Sequence, residues 1–380
     1  MSRKPRKILI IAETVTAAHA IRCLDLTRAL DPAEIHFAAR DLPENLRALF
    51  PWLRFEPLRT SLTPAEFATA LRAGRIGLDA ARLEAQIAED LGLLRSIRPD
   101  EVIGDFRLSL AVSARLAGVR HINLVNAFWH PDAPAPMHAP CVPQIRAAGR
   151  ALGDPIFRLF RPLFLNSPLR TLNPVLSRHG VPPAASLQEL YSSGDTLLHP
   201  DPESFFPGWR DARSRFIGPL TWTPPLALPS WWARVRSDRP TVYFSMGSSG
   251  SVEHSDQLVR GLAGLGLQVL WAAGGALPDE EVRDNIYRAP YLPLPEVAKL
   301  AHAAVLNGGS AQGYFFLRHK IPFVGVPDNL DQFLFMETLT RAGLTSFAPM
   351  IPSDQVARKG LLASRLMELV QGPAVAPPAL

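Results

Sequence analysis

The run from Ala303 to Gln332, AAVLNGGSAQGYFFLRHKIPFVGVPDNLDQ, constrains the chain more than any other stretch. Its apolar triplet Ala304-Val305-Leu306 stops at a glycine pair, which predicts a short buried parallel strand ending in a tight turn. Gly308 and Gly309 have no Cβ, so backbone N–H groups there can come close to a ligand. Ala311–His319 has no breaker after Gly313 and predicts a helix. Strand, glycine turn and helix N-terminus in succession suit an anionic group such as a diphosphate. A second strand, Phe323–Val326, lies between Pro322 and Pro327 and ends in the polar turn Asp328–Gln332. Ligands of a doubly wound sheet sit outside the carboxyl ends of its strands, so both turns are expected to face one crevice.

The order small-strand, x-Gly-Gly, helix, Pro-x-x-x-x-Pro, Asp-Gln resembles the donor-site signature of the UDP-glycosyltransferase superfamily. These are family-1 enzymes of the GT-B fold, including plant and bacterial natural-product and macrolide-type glycosyltransferases. Gly308, Gly309, Pro322, Pro327, Asp331 and Gln332 match. Asn307 stands where the family usually has a diphosphate-binding His. Ala311 and Gln312 replace Gly and Thr/Ser, and Phe315 stands where a ribose-binding Glu is common. The resemblance implies that Asn307, Gly308, Gly309, Ser310, Ala311 and Gln312 hold the donor and that Asp331 and Gln332 bind its sugar. A donor without a ribose 2′-hydroxyl, such as a deoxythymidine diphosphate sugar, has less need of the missing Glu.

Composition fits this reading. The chain has 380 residues, enough for two ordinary domains, with 47% hydrophobic and 20% charged residues. A net charge of +5 is no case for nucleic acid. Cys23 and Cys141 cannot build a disulfide framework and fit a reducing cytoplasm. The basic start before Ile8–Ala12 mimics a secretory signal, but Glu13 cuts the apolar run short and a first strand is expected. No stretch has the length of a membrane span.

From the N-terminus, Lys7–Ala12 predicts a buried strand and Ala20–Leu30 a helix, with His19 at its start. Alone, His19 reads as a solvated or capping residue. The segment Ala18–Leu30 is similar to the family's Gly-His-x-x-Pro-x-Leu opening, with Ala18 and Arg22 in place of Gly and Pro. That likeness implies that His19 is the general base. Strands are expected near Glu34–Ala39 and Phe50–Glu56, and a long, mostly helical stretch over Ala65–Ile97. Pro99–Asp105 resembles the family's Pro-Asp-x-Val-x-x-Asp strand. Asp105 is expected either to cap the next helix or, as the resemblance implies, to orient and charge the catalytic His.

Asn126–Pro143 reads as irregular, and family enzymes build the acceptor pocket in this half, which points to Phe128 and Trp129 and to a lipophilic or aromatic acceptor. Ile145–Val175 mixes arginines with large apolar residues. It reads as a core-facing helix pair broken by Pro155, Pro162 and Pro168, with contact to an anionic membrane surface as the rival. Phe216–Leu220 resembles the family's Gly-Pro-Leu segment, and the Pro- and Trp-rich Thr221–Arg239 reads as a linker. The expected domains are thus 1–220, acceptor-binding, and 240–380, nucleotide-sugar-binding.

Thr241–Ser251 opens the second domain and resembles the family's Val-x-x-Ser-x-Gly-Ser loop, which implies diphosphate contacts from Gly247 and Ser248. It lacks the Gly-Lys-Ser/Thr of a P-loop, so an ATPase reading fails. Tyr291 and Leu292 are similar to the family's base-binding strand end. The implied activity is inverting hexosyl transfer from a nucleotide sugar to an acceptor hydroxyl, without a metal or other cofactor. A non-catalytic homologue that activates a partner enzyme is the second reading. An epimerase of the same fold is a third, and would want acidic residues in the crevice.

Overall fold

A computed structural model describes residues 6–30, 33–247, 255–275, 277, 279–356 and 360–371. The chain divides into two compact units, residues 1–135 with 155–222 and residues 136–154 with 223–380.

The first unit is built on a seven-stranded parallel sheet. Its strands are β1 (Arg6–Ala12), β2 (Ala33–Ala39), β3 (Leu53–Pro57), β4 (Glu101–Asp105), β5 (Arg120–Leu124), β6 (Thr196–His199) and β7 (Ser214–Phe216), in the order β3-β2-β1-β4-β5-β6-β7. Ile8–Ala12 are entirely buried, as a strand covered on both faces requires. The strand order reverses between β1 and β4, the place where a doubly wound sheet opens its ligand crevice.

The second unit has the strands β8 (Thr241–Ser245), β9 (Gln268–Ala272), β10 (Glu281–Arg283), β11 (Ile286–Ala289), β12 (Ala303–Leu306) and β13 (Phe323–Gly325). They are ordered β10-β11-β9-β8-β12-β13. All neighbours are parallel except the hairpin β10–β11. Here the order reverses between β8 and β12. Helices Ser310–Arg318 and Leu330–Arg341 follow β12 and β13. Each carries a buried aromatic row, Tyr314-Phe315-Phe316 and Phe333 with Phe335.

Residues 136–154 are anchored within this second unit. The buried carboxylate of Glu337 accepts hydrogen bonds from the N–H groups of Met137 and His138 and from the His138 ring. Arg150 pairs with Asp154 and Asp354 and lies over the Phe333 ring. The N–H of Cys141 donates to the Asp328 carbonyl at 2.7 Å.

Two helical expectations change. Ala65–Ile97 is two helices, Pro64–Arg72 and Ala80–Ile97, rather than one. The glycines at 74 and 77 interrupt the first, and the Asp79 carboxylate restarts the second by accepting the Arg82 N–H. Over 143–178 there are three helices, Pro143–Ala148, Arg150–Asn166 and Leu169–Arg178. The middle one runs through Pro155 and Pro162 instead of stopping at them. The carbonyls these prolines leave without an intrahelical donor belong to Ala151 and Arg158, both on exposed residues, where water can satisfy them. The core-facing expectation holds for Leu169–Arg178, whose Leu169, Leu172, Val175 and Leu176 are buried, but not for most of the middle helix, which buries Phe157 and exposes its other large apolar side chains except the half-buried Leu165.

Candidate active site

The first group of residues gathers where the sheet of the first unit reverses. Ala12, the last residue of β1, lies opposite Asp105, the last of β4. Helix Ala17–Thr27 leaves β1 and carries His19 and Arg22 three residues apart, on one face. Both side chains reach Asp105, which is 0% exposed. His19 Nδ1 lies 2.8 Å from Asp105 Oδ1. A carboxylate can only accept, so that bond places the proton on Nδ1 and leaves the Nε2 lone pair available. Arg22 clamps both carboxylate oxygens, Nε on Oδ2 and Nη2 on Oδ1. Its Nη1 donates to Asn126 Oδ1 at 2.8 Å, and Asn126 Nδ2 donates to Asp201 at 2.9 Å.

Burial alone would raise the Asp105 pKa. The Arg22 guanidinium, and then His19, outweigh it and hold the carboxyl well below the usual carboxylate range. Burial, followed by the same carboxylate, pushes the neighbouring Cys23 thiol well up, which keeps it a packing residue.

Phe106 follows Asp105 with a left-handed φ of 57°, a conformation a bulky residue rarely takes. The bend lays its ring on the imidazole of His19, stacked at 5.4 Å. From there an aromatic wall continues through Phe67 (5.6 Å) and Tyr191 (5.4 Å), and Tyr191 stacks on Trp129 at 4.6 Å. Trp129, for which acceptor contact is expected, is half-buried at the end of this wall. Phe128 is only 1% exposed, which corrects the expectation that its ring meets an acceptor.

The second group gathers where the sheet of the second unit reverses. Ser245 at the end of β8 lies opposite Leu306 at the end of β12, so the turns that follow emerge side by side. Gly247 has φ 61°, and a Cβ there would come within 2.8 Å of the Asn307 amide nitrogen. Gly308 has φ 75°, and a Cβ there would meet Met336 Cγ at 2.9 Å. Only glycine suits either place. Ser248 lies outside the described residues.

Asn307, buried, folds its Oδ1 back to accept the Gly309 N–H at 3.0 Å. Gly309 is the N-cap of helix Ser310–Arg318 and has no side chain to cap it. The N–H groups of Ser310, Ala311 and Gln312 form the first helical turn, where no intrahelical acceptor exists and the helix dipole is positive. Gln312 Nε2 donates to the Tyr243 hydroxyl at 3.1 Å, while its buried Oε1 has no hydrogen-bond partner among the described residues. Burial pushes the Tyr243 phenol up to about 12.

Asp331 is half-buried in the first turn of helix Leu330–Arg341. Gln332 is buried and completes that helix's cap: its N–H donates to Asn329 Oδ1, and its Oε1 accepts from the Asp328 N–H at 2.8 Å. Tyr291 is exposed and its hydroxyl lies against Gly275, whereas Leu292 is buried beneath it. Phe315 is buried against Phe316 and His319, so that position offers a ribose nothing to bind.

The structure thus joins His19 to Asp105, and Gly247 to Asn307–Gln312. The sequence reading passed over Arg22, Phe106, Tyr191 and Asn126. The His19–Arg22 spacing of one helical turn is the signal that would have found the arginine. Phe106 follows Asp105 directly in the chain, whereas Tyr191 and Asn126 reach the site through tertiary contacts.

No protein-family model matches the chain. It is 35% identical over 342 residues to a PGL/p-HBAD biosynthesis glycosyltransferase of Mycobacterium tuberculosis, covering 89% of this chain and 79% of that protein. It is 36% identical over 348 residues to a PGL/p-HBAD biosynthesis rhamnosyltransferase of Mycobacterium bovis, covering 90% and 77%. Among solved structures it resembles the Arabidopsis thaliana enzyme UGT89C1 complexed with UDP-L-rhamnose. The TM-score is 0.63 at 14% identity, over 97% of this chain and 90% of that one. That likeness shows the GT-B fold. With these relatives, the chain belongs to the glycosyltransferase family that includes the PGL/p-HBAD biosynthesis enzymes.

Proposed function

We propose that this glycosyltransferase moves rhamnose or a related hexose from its nucleoside diphosphate to the hydroxyl of a phenolic, lipophilic acceptor, with inversion at the anomeric carbon. The observation that carries the reading is the imidazole of His19, held by a buried carboxylate at one end of an aromatic wall. In this reaction Nε2 takes the acceptor's proton as the oxygen attacks the anomeric carbon. Asp105 keeps the proton on Nδ1 and stabilises the imidazolium that forms. The bond from the anomeric carbon to the diphosphate breaks, and the leaving charge goes to the Ser310–Gln312 helix terminus and the Asn307 amide. Tyr291 stacks on the base, and Asp331 accepts from sugar hydroxyls. The cradle uses backbone N–H groups and amides, with no metal called for.

Inversion is supported by the state of Asp105. A retaining displacement needs a free carboxylate as nucleophile, whereas this one is wholly buried and clamped by Arg22. A phenol is supported by the half-buried aromatic rings of Phe106 and Trp129. A phenol also loses its proton near pH 10, as tyrosine does, so a single imidazole suffices as base. A relative named a rhamnosyltransferase supports the sugar. The complete His19–Asp105 pair supports catalysis over a purely activating role.

The test is product analysis with a panel of UDP- and dTDP-sugars, offering a 4-hydroxybenzoate ester and an aliphatic alcohol of matched size. The expected product is the phenyl glycoside, with its anomeric configuration opposite to the donor's by NMR. Retained configuration, or preference for the alcohol, would overturn the corresponding part of the proposal.

A further inference from the structure

Helix Arg150–Asn166 presents its apolar side outward. Leu152, Ile156, Leu159 and Leu163 recur at i, i+4, i+7 and i+11, a single stripe along a helix, and Phe160 and Phe164 widen it. These six side chains are between 45% and 73% exposed, among the largest apolar exposures in the molecule. A contiguous apolar strip of this kind marks a docking surface rather than scattered surface leucines.

The charges around the strip choose its partner. From 143 to 178 the sequence holds six arginines and one acid, Asp154. Asp154 is already paired with Arg150. Arg146 and Arg178 are engaged with Asp328 and Glu84. Arg158, on the same helix but off the stripe, and Arg170, four residues past its end, are exposed. Cations bordering an apolar face, with no uncompensated carboxylate among them, match the boundary between anionic headgroups and acyl chains. The helix has 17 residues, and no described helix is long and apolar enough to cross a bilayer.

We infer that the Arg150–Asn166 helix docks this enzyme on the surface of an anionic lipid bilayer. Leu152, Ile156, Leu159 and Leu163 enter the acyl boundary, and Arg158 and Arg170 meet the headgroup phosphates. None of these residues belongs to the catalytic groups described above, so the inference stands apart from the identity of the acceptor.

The experiment is flotation of the full chain with vesicles of phosphatidylglycerol and phosphatidylcholine, against phosphatidylcholine alone. The expected result is retention on the anionic vesicles that weakens as salt is raised, with little on the neutral ones. Leu159→Glu/Leu163→Glu is expected to lower the partition coefficient at least about tenfold, because it puts carboxylates in the strip. Arg158→Glu/Arg170→Glu is expected to lower it about as far on anionic vesicles. Unchanged far-UV circular dichroism would show that both variants fold, as expected for substitutions at exposed positions. No retention of the wild type at low salt would overturn the inference, as would variants that float like the wild type. So would vesicle-independent self-association abolished by Leu159→Glu/Leu163→Glu, which would make the strip an interface between copies.

Discussion

Replacing Asp105 by Asn removes one charge and almost no volume, and separates the two duties of that carboxylate. In the native protein it is wholly buried, clamped by Arg22 and bonded to His19 at 2.8 Å. Removing one partner of a buried ion pair costs about 3–5 kcal/mol. Asn126 still holds Arg22 Nη1, and the Arg22 side chain is 16% exposed, so a loss near the lower end, about 3 kcal/mol, is expected at pH 7.

The pH dependence follows from the direction of the shift. The folded-state pKa of Asp105 lies below its ordinary value of 3.8. The stability it contributes is therefore full above pH 3.8 and drains away as pH falls toward the folded value. The gap between wild type and Asp105→Asn in urea unfolding should be constant from pH 7 to 5, and about 1 kcal/mol smaller by pH 3. In catalysis the variant loses the fixed tautomer, and kcat should fall about 10³- to 10⁴-fold with little change in KM for the donor. A gap that widens on acidification, or a kcat within tenfold of wild type, would refute the reasoning.

Arg22→Met leaves the buried carboxylate without its guanidinium and held by the His19 Nδ1–H, and should cost about 3 kcal/mol in urea unfolding; an unchanged midpoint would remove Arg22 from the site. Gly308→Ala places a Cβ against Met336 at a left-handed φ. It should destabilise by about 1–3 kcal/mol and raise the donor KM, measured by calorimetry and initial rates. Gln332→Ala breaks the cap of helix Leu330–Arg341, and about 1–2 kcal/mol should be lost whether or not a donor is present. Treatment with EDTA should leave turnover unchanged, since the proposed diphosphate cradle is made of N–H groups; restoration by added Mg²⁺ after a loss would contradict it.

Much of this was legible because strand periodicity and motif order are local. The β1 and β4 runs, the turn after Leu306 and the Asp328–Gln332 turn all lie near where the apolar pattern put them, and His19 and Asp105 meet. What the sequence hid was tertiary. Arg22 looked like a lost proline, yet it clamps the carboxylate that holds His19. Phe128 and Trp129 are neighbours in sequence, but only Trp129 stacks on Tyr191, a partner 62 positions away. Phe315 looked like a broken ribose contact and is a core residue. The stretch 145–175 showed its amphipathic mixture plainly. Periodicity gives the stripe but not which side of it meets water, so the exposed face of its middle helix could not be read.

The central claim is that His19 takes the acceptor's proton while the second unit holds the donor. The most direct measurement is single-turnover transfer by His19→Ala, with donor affinity measured on the same preparation. The account predicts donor binding within about twofold of wild type and a transfer rate at least about 10³-fold lower. Undiminished transfer by His19→Ala would contradict it.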